Sequence, residues 1–368
     1  MLKFIGKPLF VLSVTMLLGM EVMAQVTTPR PSPAAELTQT IGLTRVTINY
    51  SRPSVKRGNN DRTGQIWGIQ VPWGLATNGF GNQKPMPWRA GANENTIISF
   101  STPIWVEGKK IESGSYGLHM IPEESGKVTV IFSTNTSSWG SFWYDPSEDA
   151  LRVVVQMQDA PFTNVLTYEF TELSTTTGTL ALFWEKKQIP IKLSANQEII
   201  LAGIRDELRG VTGFGWQGPL SAANYCLNNN TNHEEALQWV DRAIAGNKSG
   251  QTLGVKAALL FQKGDNEEAV KIADEAKEIA TINELNALGY QLMGANQMDK
   301  AEEFFLLNIK RNPKVANCYD SMGECYVTMG KNDEAIKMFK KSLSMNPPAN
   351  VKANSILNLK KLGVAVAE

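Results

Sequence analysis

Hydrophobic and polar positions follow two different rhythms along this chain. From Leu37 to about Leu193, apolar residues alternate with polar ones: Val46, Ile48 and Tyr50; Ile97 through Phe100; Val128, Val130 and Phe132; Leu151, Val153 and Val155; Leu166, Tyr168 and Phe170; Leu180, Leu182 and Trp184. A period of two with frequent turn residues predicts antiparallel strands with one buried face. Glu107-Gly108 and Ser125-Gly126 fall where hairpins must reverse, and Lys186-Lys187-Gln188 marks a last turn. Eight or more short strands without an intervening long helix predict an all-β antiparallel sandwich over residues 37–193.

After Gln217 the rhythm changes to that of helices. Small residues recur at Ala236, Ala269, Ala301 and Ala335, at spacings of 33, 32 and 34 residues. Each is followed three or four positions on by Trp239, Ala273, Phe305 and Phe339, on the same stripe of a helix. The preceding helix carries Gly289 and then Gly323 in the later copies, with Leu292 and Tyr326 three residues beyond. Small against large across facing helices allows a short interaxial distance. Reversals are marked by Lys263-Gly264-Asp265-Asn266, Ala295 to Asp299 and Met329 to Asp333, and Pro313 and Pro347 close the second helix of their copies. A period of this size predicts a solenoid of helical hairpins, four copies over residues 217–349, which offers an extended binding surface in place of a catalytic pocket.

Between and around these regions lie simpler signals. Ser194 with Gln197 has the spacing of a capping box, predicting a helix to about Leu208 that bridges the two domains; Gly210 to Pro219, with four glycines, is the joint, and residues 194–216 are assigned to this bridging helix and joint. Val351 to Leu362 predicts a final capping helix within residues 350–368. Residues 25–36 contain three prolines and form an extended leader. Met1 to Ala24 combines Lys3 and Lys7, an apolar stretch from Leu9 to Leu18, and Val22-Met23-Ala24, so an export signal cleaved after Ala24 is expected, with the mature protein periplasmic or secreted. No other segment has the length and apolar purity for a membrane span.

Composition narrows the partners. There are 36 acidic and 36 basic residues, and a formal net charge of zero gives nucleic acid or an anionic membrane no electrostatic footprint. Cys226, Cys318 and Cys325 all lie in the helical half; the last two are seven residues apart, about two turns of one helix, too far for a disulfide with one another. They predict buried thiols, and no metal-ligand spacing occurs. Phosphate loops, nucleophile elbows and zinc helix motifs are missing, so no cofactor is implied.

Candidate chemistry in the β-region centres on Trp88, Arg89, Asn93 and Glu94, in a Gly-containing loop ahead of a strand. Arg89 and Glu94 could hold a sugar hydroxyl or a carboxylate with Trp88 as a stacking face. The structural alternative is that the two pair with each other or with backbone and pin the loop, which is favoured because no third catalytic group is fixed. His119, the lone histidine of this region, alternates with Tyr116 and Leu118 and is expected at an exposed or rim position. Trp139, Phe142, Trp143 and Tyr144 form either a carbohydrate platform or, as favoured, a hydrophobic plug at one end of the sandwich. His233 lies at a repeat turn and has no assigned chemistry. The balance favours a binding and scaffold protein over an enzyme; an envelope carbohydrate-binding or hydrolytic sandwich using Arg89, Glu94 and His119 is the alternative.

Two resemblances sharpen this. Gly323, Tyr326, Gly330, Ala335, Phe339 and Pro347 resemble the tetratricopeptide repeat, while Asn296 replaces the usual glycine one copy earlier and Asn224 and Ala257 mark more divergent first copies. The resemblance implies a concave groove lined by Tyr225, Asn228, Asn229, Phe261, Gln262, Asn283, Asn286, Tyr290, Asn317, Asp320 and Glu324. Such a groove is rich in amides and poor in cations, so it implies a protein or polar peptide partner and not an acidic tail. Gln39 to Gly42, Asn49 to Lys56, Ile66-Trp67-Gly68, Pro87 to Thr96, Gly114 to Leu118, Trp139-Gly140 and Asp149 to Val153 resemble the DUF2911 family of exported bacterial domains, which brings no activity with it. Extra residues at Gly58 to Thr63 and Ala76 to Lys84 are expected as loops at the sandwich edge.

Overall fold

The computed structural model describes residues 28–77 and 79–365, so the expected export signal lies outside the described residues. The chain divides into two compact units, residues 1–196 and 197–368.

In the first unit the alternating segments form strands in chain order: β1 (Ala34–Ile41), β2 (Thr44–Ser51), β3 (Lys56–Arg57), β4 (Asn60–Asp61), β5 (Thr96–Phe100), β6 (Ile104–Val106), β7 (Lys109–Ile111), β8 (Gly114–Pro122), β9 (Lys127–Ser133), β10 (Asp149–Gln156), β11 (Gln158–Thr171) and β12 (Thr177–Ser194). Six of them make one antiparallel sheet in the order β1-β2-β5-β8-β9-β10, and four make a second, β11-β12-β6-β7. Val46, Ile48, Leu118, Met120, Val130 and Phe132 of the first sheet share one core with Leu166, Leu180, Leu182, Ile189 and Ile191 of the second. The insertion after Gly58 is partly ordered as the small β3–β4 hairpin. The end of the expected leader, from Ala34, is already strand β1.

Two local expectations fail, each for a physical reason. Lys186-Lys187-Gln188 is not a turn: β12 continues through it, with Lys187 paired to Asp159 and Gln188 to Gln158. The buried positions change phase there, from Leu180, Leu182 and Trp184 to Ile189, Ile191 and Leu193, with Glu185 at φ 55° between the two runs and the register against β11 shifting on either side of the Thr163–Glu185 pair. A polar stretch between two apolar runs fits a turn and an irregular continuing strand alike, and pairing with β11 separates them. Ser194 does not cap a helix, because it ends β12 opposite Trp105.

The second unit contains ten helices among the described residues: α1 (Gln197–Glu207), α2 (Gln217–Asn228), α3 (His233–Gly246), α4 (Gly250–Lys263), α5 (Asn266–Ile279), α6 (Ile282–Gly294), α7 (Met298–Arg311), α8 (Ala316–Thr328), α9 (Asn332–Leu343) and α10 (Ala349–Lys361). Helix α1 is no bridge; it belongs to this unit. Its Leu201 shares a cluster with Leu220, Ala223, Val240 and Val255, and Arg205 pairs with both carboxylate oxygens of Glu235 on α3, at 2.9 and 2.8 Å. The glycine-rich segment that follows is therefore internal to the unit.

Hairpins α2–α3, α4–α5, α6–α7 and α8–α9 are the four repeats, and Ala236, Ala269, Ala301 and Ala335 are fully buried in them. The glycines have a steric reason. A Cβ on Gly323 would lie 2.6 Å from the Phe339 ring, and one on Gly289 would run into Phe305. Gly254, which no repeat pattern singled out, lets Leu288 of the next hairpin approach α4 in the same way. At the reversals Gly264 and Gly330 have φ 96° and 74°, and Asn296 takes the left-handed conformation at φ 59°, which its short polar side chain tolerates. The three cysteines are buried and unbridged.

Packing of glycine under a ring gives a direct test. Gly323→Ala should destabilise the helical unit by about 1–3 kcal/mol through overpacking, outweighing the roughly 1 kcal/mol that alanine gains in a helix. In urea unfolding, the loss in Gly323→Ala/Phe339→Leu should be smaller than the sum of the single losses; strict additivity would show that the two side chains do not meet.

Candidate functional site

Strand β8 is buried on both faces, and this places the polar residues of the first unit. Tyr116, Leu118 and Met120 face the core, while Gly117 and His119 face the other side of the six-stranded sheet. That side is covered by the segment around Gly140 to Tyr144. His119 is therefore 3% exposed, not at a rim. Alternation gave its face correctly, but the cover comes from residues twenty positions further on, which local pattern cannot supply. Its Nδ1 lies 2.8 Å from Ser141 Oγ, and its ring meets Tyr144 edge-on at 5.5 Å. Burial, with Arg89 adding to it, brings the imidazole down to about 4, so the ring is neutral at neutral pH.

Arg89 arrives on the opposite wall. Trp88 extends the line of β5 by pairing its backbone with Met120 at 2.8 Å in both directions. This puts Arg89 beside His119's covering segment. The guanidinium donates to the Asn93 carbonyl, lies over the Phe142 ring with 4.7 Å to the centroid, and rests against Gly140. Gly140 is needed twice: its φ is 62°, and a Cβ would collide with the guanidinium. Burial lowers the Arg89 pKa. The loop between is fixed by Tyr168 and Thr96 hydroxyls donating to the Ala90 carbonyl, at 2.9 and 3.2 Å.

The other loop candidates are used differently. Asn93 gives its carbonyl to Arg89 and its amide to Ser32 O at 3.0 Å, while Glu94 is half-buried and paired with Arg30. Arg89 and Glu94 thus do not pair, and no hydrogen bond among the described residues joins Glu94 to His119. Trp88 stacks on Trp184, with centroids 6.1 Å apart, in a cluster with Trp67. The aromatic plug is only half formed: Tyr144 turns inward, but Trp139 and Trp143 are 51% and 57% exposed. Tyr144 anchors the segment by donating to Asp149 Oδ2 at 2.8 Å while accepting from Arg152 at 2.6 Å.

Of these residues Trp88, Arg89, Ser141 and Phe142 line a cleft of about 450 Å³, together with Pro72 and Met86. Ser141 was not foreseen. The hydroxyl beside a neutral imidazole is within reach for proton transfer, but no carboxylate bonds to His119 among the described residues, so the arrangement holds a ligand better than it drives acyl transfer.

In the second unit a cavity of about 660 Å³ lies where α2, α4 and α6 end, lined by Leu227, Asn228, Asn230, Phe261, Gln262, Tyr290, Gln291 and Asn296 among others, with no Lys or Arg among the described residues that line it. Of the expected groove residues, Asn228, Phe261, Gln262 and Tyr290 face this space. Gln262 ties two hairpins by donating to Leu227 O at 3.1 Å, with its Oε1 3.2 Å from His233 Nε2. Asn229 folds back onto Tyr225 O at 2.8 Å. Tyr225, Asn286 and Asn317 are half-buried, and Asn283 is exposed. Asp320 and Glu324 are not free groove acids. Asn354 of the capping helix donates to both, at 2.8 and 2.6 Å, Ser355 donates to Asp320, and Tyr290 donates to Glu324 at 2.5 Å. Asp320 is buried, which raises its pKa against the pull of those donors.

Residues 32–193 match the family model described as protein of unknown function (DUF2911), and residues 316–348 match a tetratricopeptide repeat. No curated protein matches the chain. Among solved structures, a crystal structure of MamA is similar at 20% identity over 42% of this chain and 89% of that one, with a TM-score of 0.29. YrrB, titled a TPR protein with an unusual peptide-binding site, shows 18% identity over 45% of this chain and 83% of its own, TM-score 0.28. MamA from Desulfovibrio magneticus RS-1 shows 17% over 42% and 94%, TM-score 0.26. At these TM-scores the likenesses carry no weight for site or partner.

Gly140→Ala should lower stability by about 2–4 kcal/mol, combining overpacking against Arg89 with left-handed strain. In an Arg89→Ala background the same change should cost only about 1 kcal/mol. Urea unfolding followed by near-ultraviolet circular dichroism reads both; equal losses would mean that Gly140 does not seat the guanidinium.

Proposed function

We propose that this is an exported binding and scaffold protein whose tetratricopeptide-type unit holds an extended polypeptide segment. The observation that supports this best is the cavity shared by three successive hairpins, lined by Asn228, Asn230, Gln262, Gln291 and Asn296 with the rings of Phe261 and Tyr290. Side-chain amides carry both a donor and an acceptor, which is what an extended backbone presents at alternating positions. Packed helices stand about 8–10 Å apart, and an extended chain advances about 3.3–3.6 Å per residue, so each hairpin would meet roughly three residues. A carboxylate-clamping role has no support here, because such a clamp needs charge-assisted donors.

Export rests on the pattern of Met1 to Ala24, with cleavage after Ala24 and a periplasmic or released mature protein as the proposal. The carbohydrate or hydrolytic reading of the first unit is weaker, since Glu94 is engaged by Arg30.

Selection of random 12-residue peptides on the full chain should yield saturable ligands. Replacing Asn228 and Gln291 together by alanine removes two hydrogen-bonding side chains, each contributing about 0.5–1.5 kcal/mol, and should weaken those ligands about fivefold to 150-fold at unchanged melting temperature. Failure to obtain any saturable peptide, or a double variant that binds as tightly as the parent, would rule the reading out.

A further inference from the structure

The first unit holds a positive charge with no anion to meet it. A guanidinium has five N–H donors, and Arg89 uses one acceptor, the Asn93 carbonyl, together with the face of Phe142. Among the described residues no carboxylate forms an ion pair with it: the loop's own acid, Glu94, is taken by Arg30, and Asp149 is taken by Arg152 and Tyr144. His119, whose charged form the nearby guanidinium disfavours, is neutral and bonded to Ser141. A partly desolvated cation without a counter-charge is unfavourable unless something completes it.

What faces that charge is a cleft and not packed protein. Its volume, about 450 Å³, falls within the range of small-molecule sites, roughly 300–1,000 Å³. Its walls are mostly apolar, from Pro72, Met86, Trp88 and Phe142, and its polar lining includes Arg89 and Ser141. The Ser141 hydroxyl is matched to the task by its partner. When Nδ1 of His119 carries the ring proton and donates it to Ser141 Oγ, the hydroxyl hydrogen is free to turn toward an acceptor in the cleft. The neutral ring thereby fixes a donor without adding a second charge.

We propose that this cleft is a binding site for a small organic carboxylate with a flat apolar body, its carboxylate received by Arg89 and Ser141 and its body lying against Trp88 and Phe142. One guanidinium fork matches one carboxylate in both charge and geometry. A doubly charged headgroup would leave a charge uncompensated. Gly140 and Phe142 hold the guanidinium in place before any ligand arrives, so little side-chain ordering remains for binding to accomplish.

Benzoate and its neutral isostere benzamide are the probes, titrated into the full chain and followed by the Trp88 indole N–H signal in two-dimensional 15N NMR. Benzoate should saturate, with affinity at least about tenfold above benzamide, the difference one charge-assisted contact supplies. Arg89→Gln should abolish the preference and Ser141→Ala should weaken benzoate about threefold to tenfold. Arg89→Lys, which keeps the charge while losing the fork, should retain part of the preference and controls for loss of fold. Absence of saturable benzoate binding at about 10 mM, roughly the weak end of specific affinity, would overturn the proposal. So would equal affinity for the two probes, or a preference that survives Arg89→Gln in a folded protein.

Discussion

Burial of strand β8 on both faces is the constraint from which the chemistry of the first unit follows. Tyr116, Leu118 and Met120 satisfy the core side by ordinary hydrophobic packing. The other side carries His119, a polar ring that, with no carboxylate bonded to it among the described residues, is buried as a neutral, hydrogen-bonded group. Ser141 provides that bond, and Ser141 is there because Gly140 and Phe142 bring the covering segment down beside Arg89. A glycine in the left-handed region, an arginine on an aromatic face and a histidine held neutral are therefore one arrangement and not three coincidences. The cleft is the space this arrangement leaves open.

The cavities of the two units are lined in opposite ways, and under the proposals above they would select ligands differently. In the first, a single cation is set among tryptophan, phenylalanine and proline, so selectivity would come from charge and shape. In the second, the lining is amide and aromatic without a cation, so selectivity would come from backbone hydrogen bonding along an extended chain. The acids that could have given the groove a negative end, Asp320 and Glu324, are instead bound to Asn354 and Ser355 and serve to dock the capping helix. This is a structural use of residues whose position in a repeat would suggest a ligand contact.

What could be read from the sequence, and what could not, divides along the range of the interactions. The repeats were legible because each hairpin packs within itself and against its neighbours, so Gly289 beneath Phe305 and Gly323 beneath Phe339 appear as fixed local spacings. The strands were legible through alternation, except where an irregularity at Glu185 shifted its phase and resembled a turn. Arg89 and His119 were legible as candidates. Their convergence was not, because it depends on Trp88 pairing with Met120 and on a cover drawn from Gly140 to Tyr144. Ser141 left no signal beyond its place after a glycine between aromatic residues. Helix α1 was legible as a helix, but its place in the second unit shows only in the packing of Leu201 and in Arg205 reaching Glu235.

The most direct check on this account is the titration of the His119 ring, followed by NMR of the 15N-labelled imidazole in the intact protein. A group whose charged form is disfavoured by burial and by a neighbouring cation loses its proton at lower pH than in water. The ring should therefore stay neutral, in a single tautomer, from neutral pH down to about 4. Titration near 6.5, the value of an unperturbed histidine, would mean that the outer face of β8 is open to water, and the seat of Arg89 and Ser141 would fall with it.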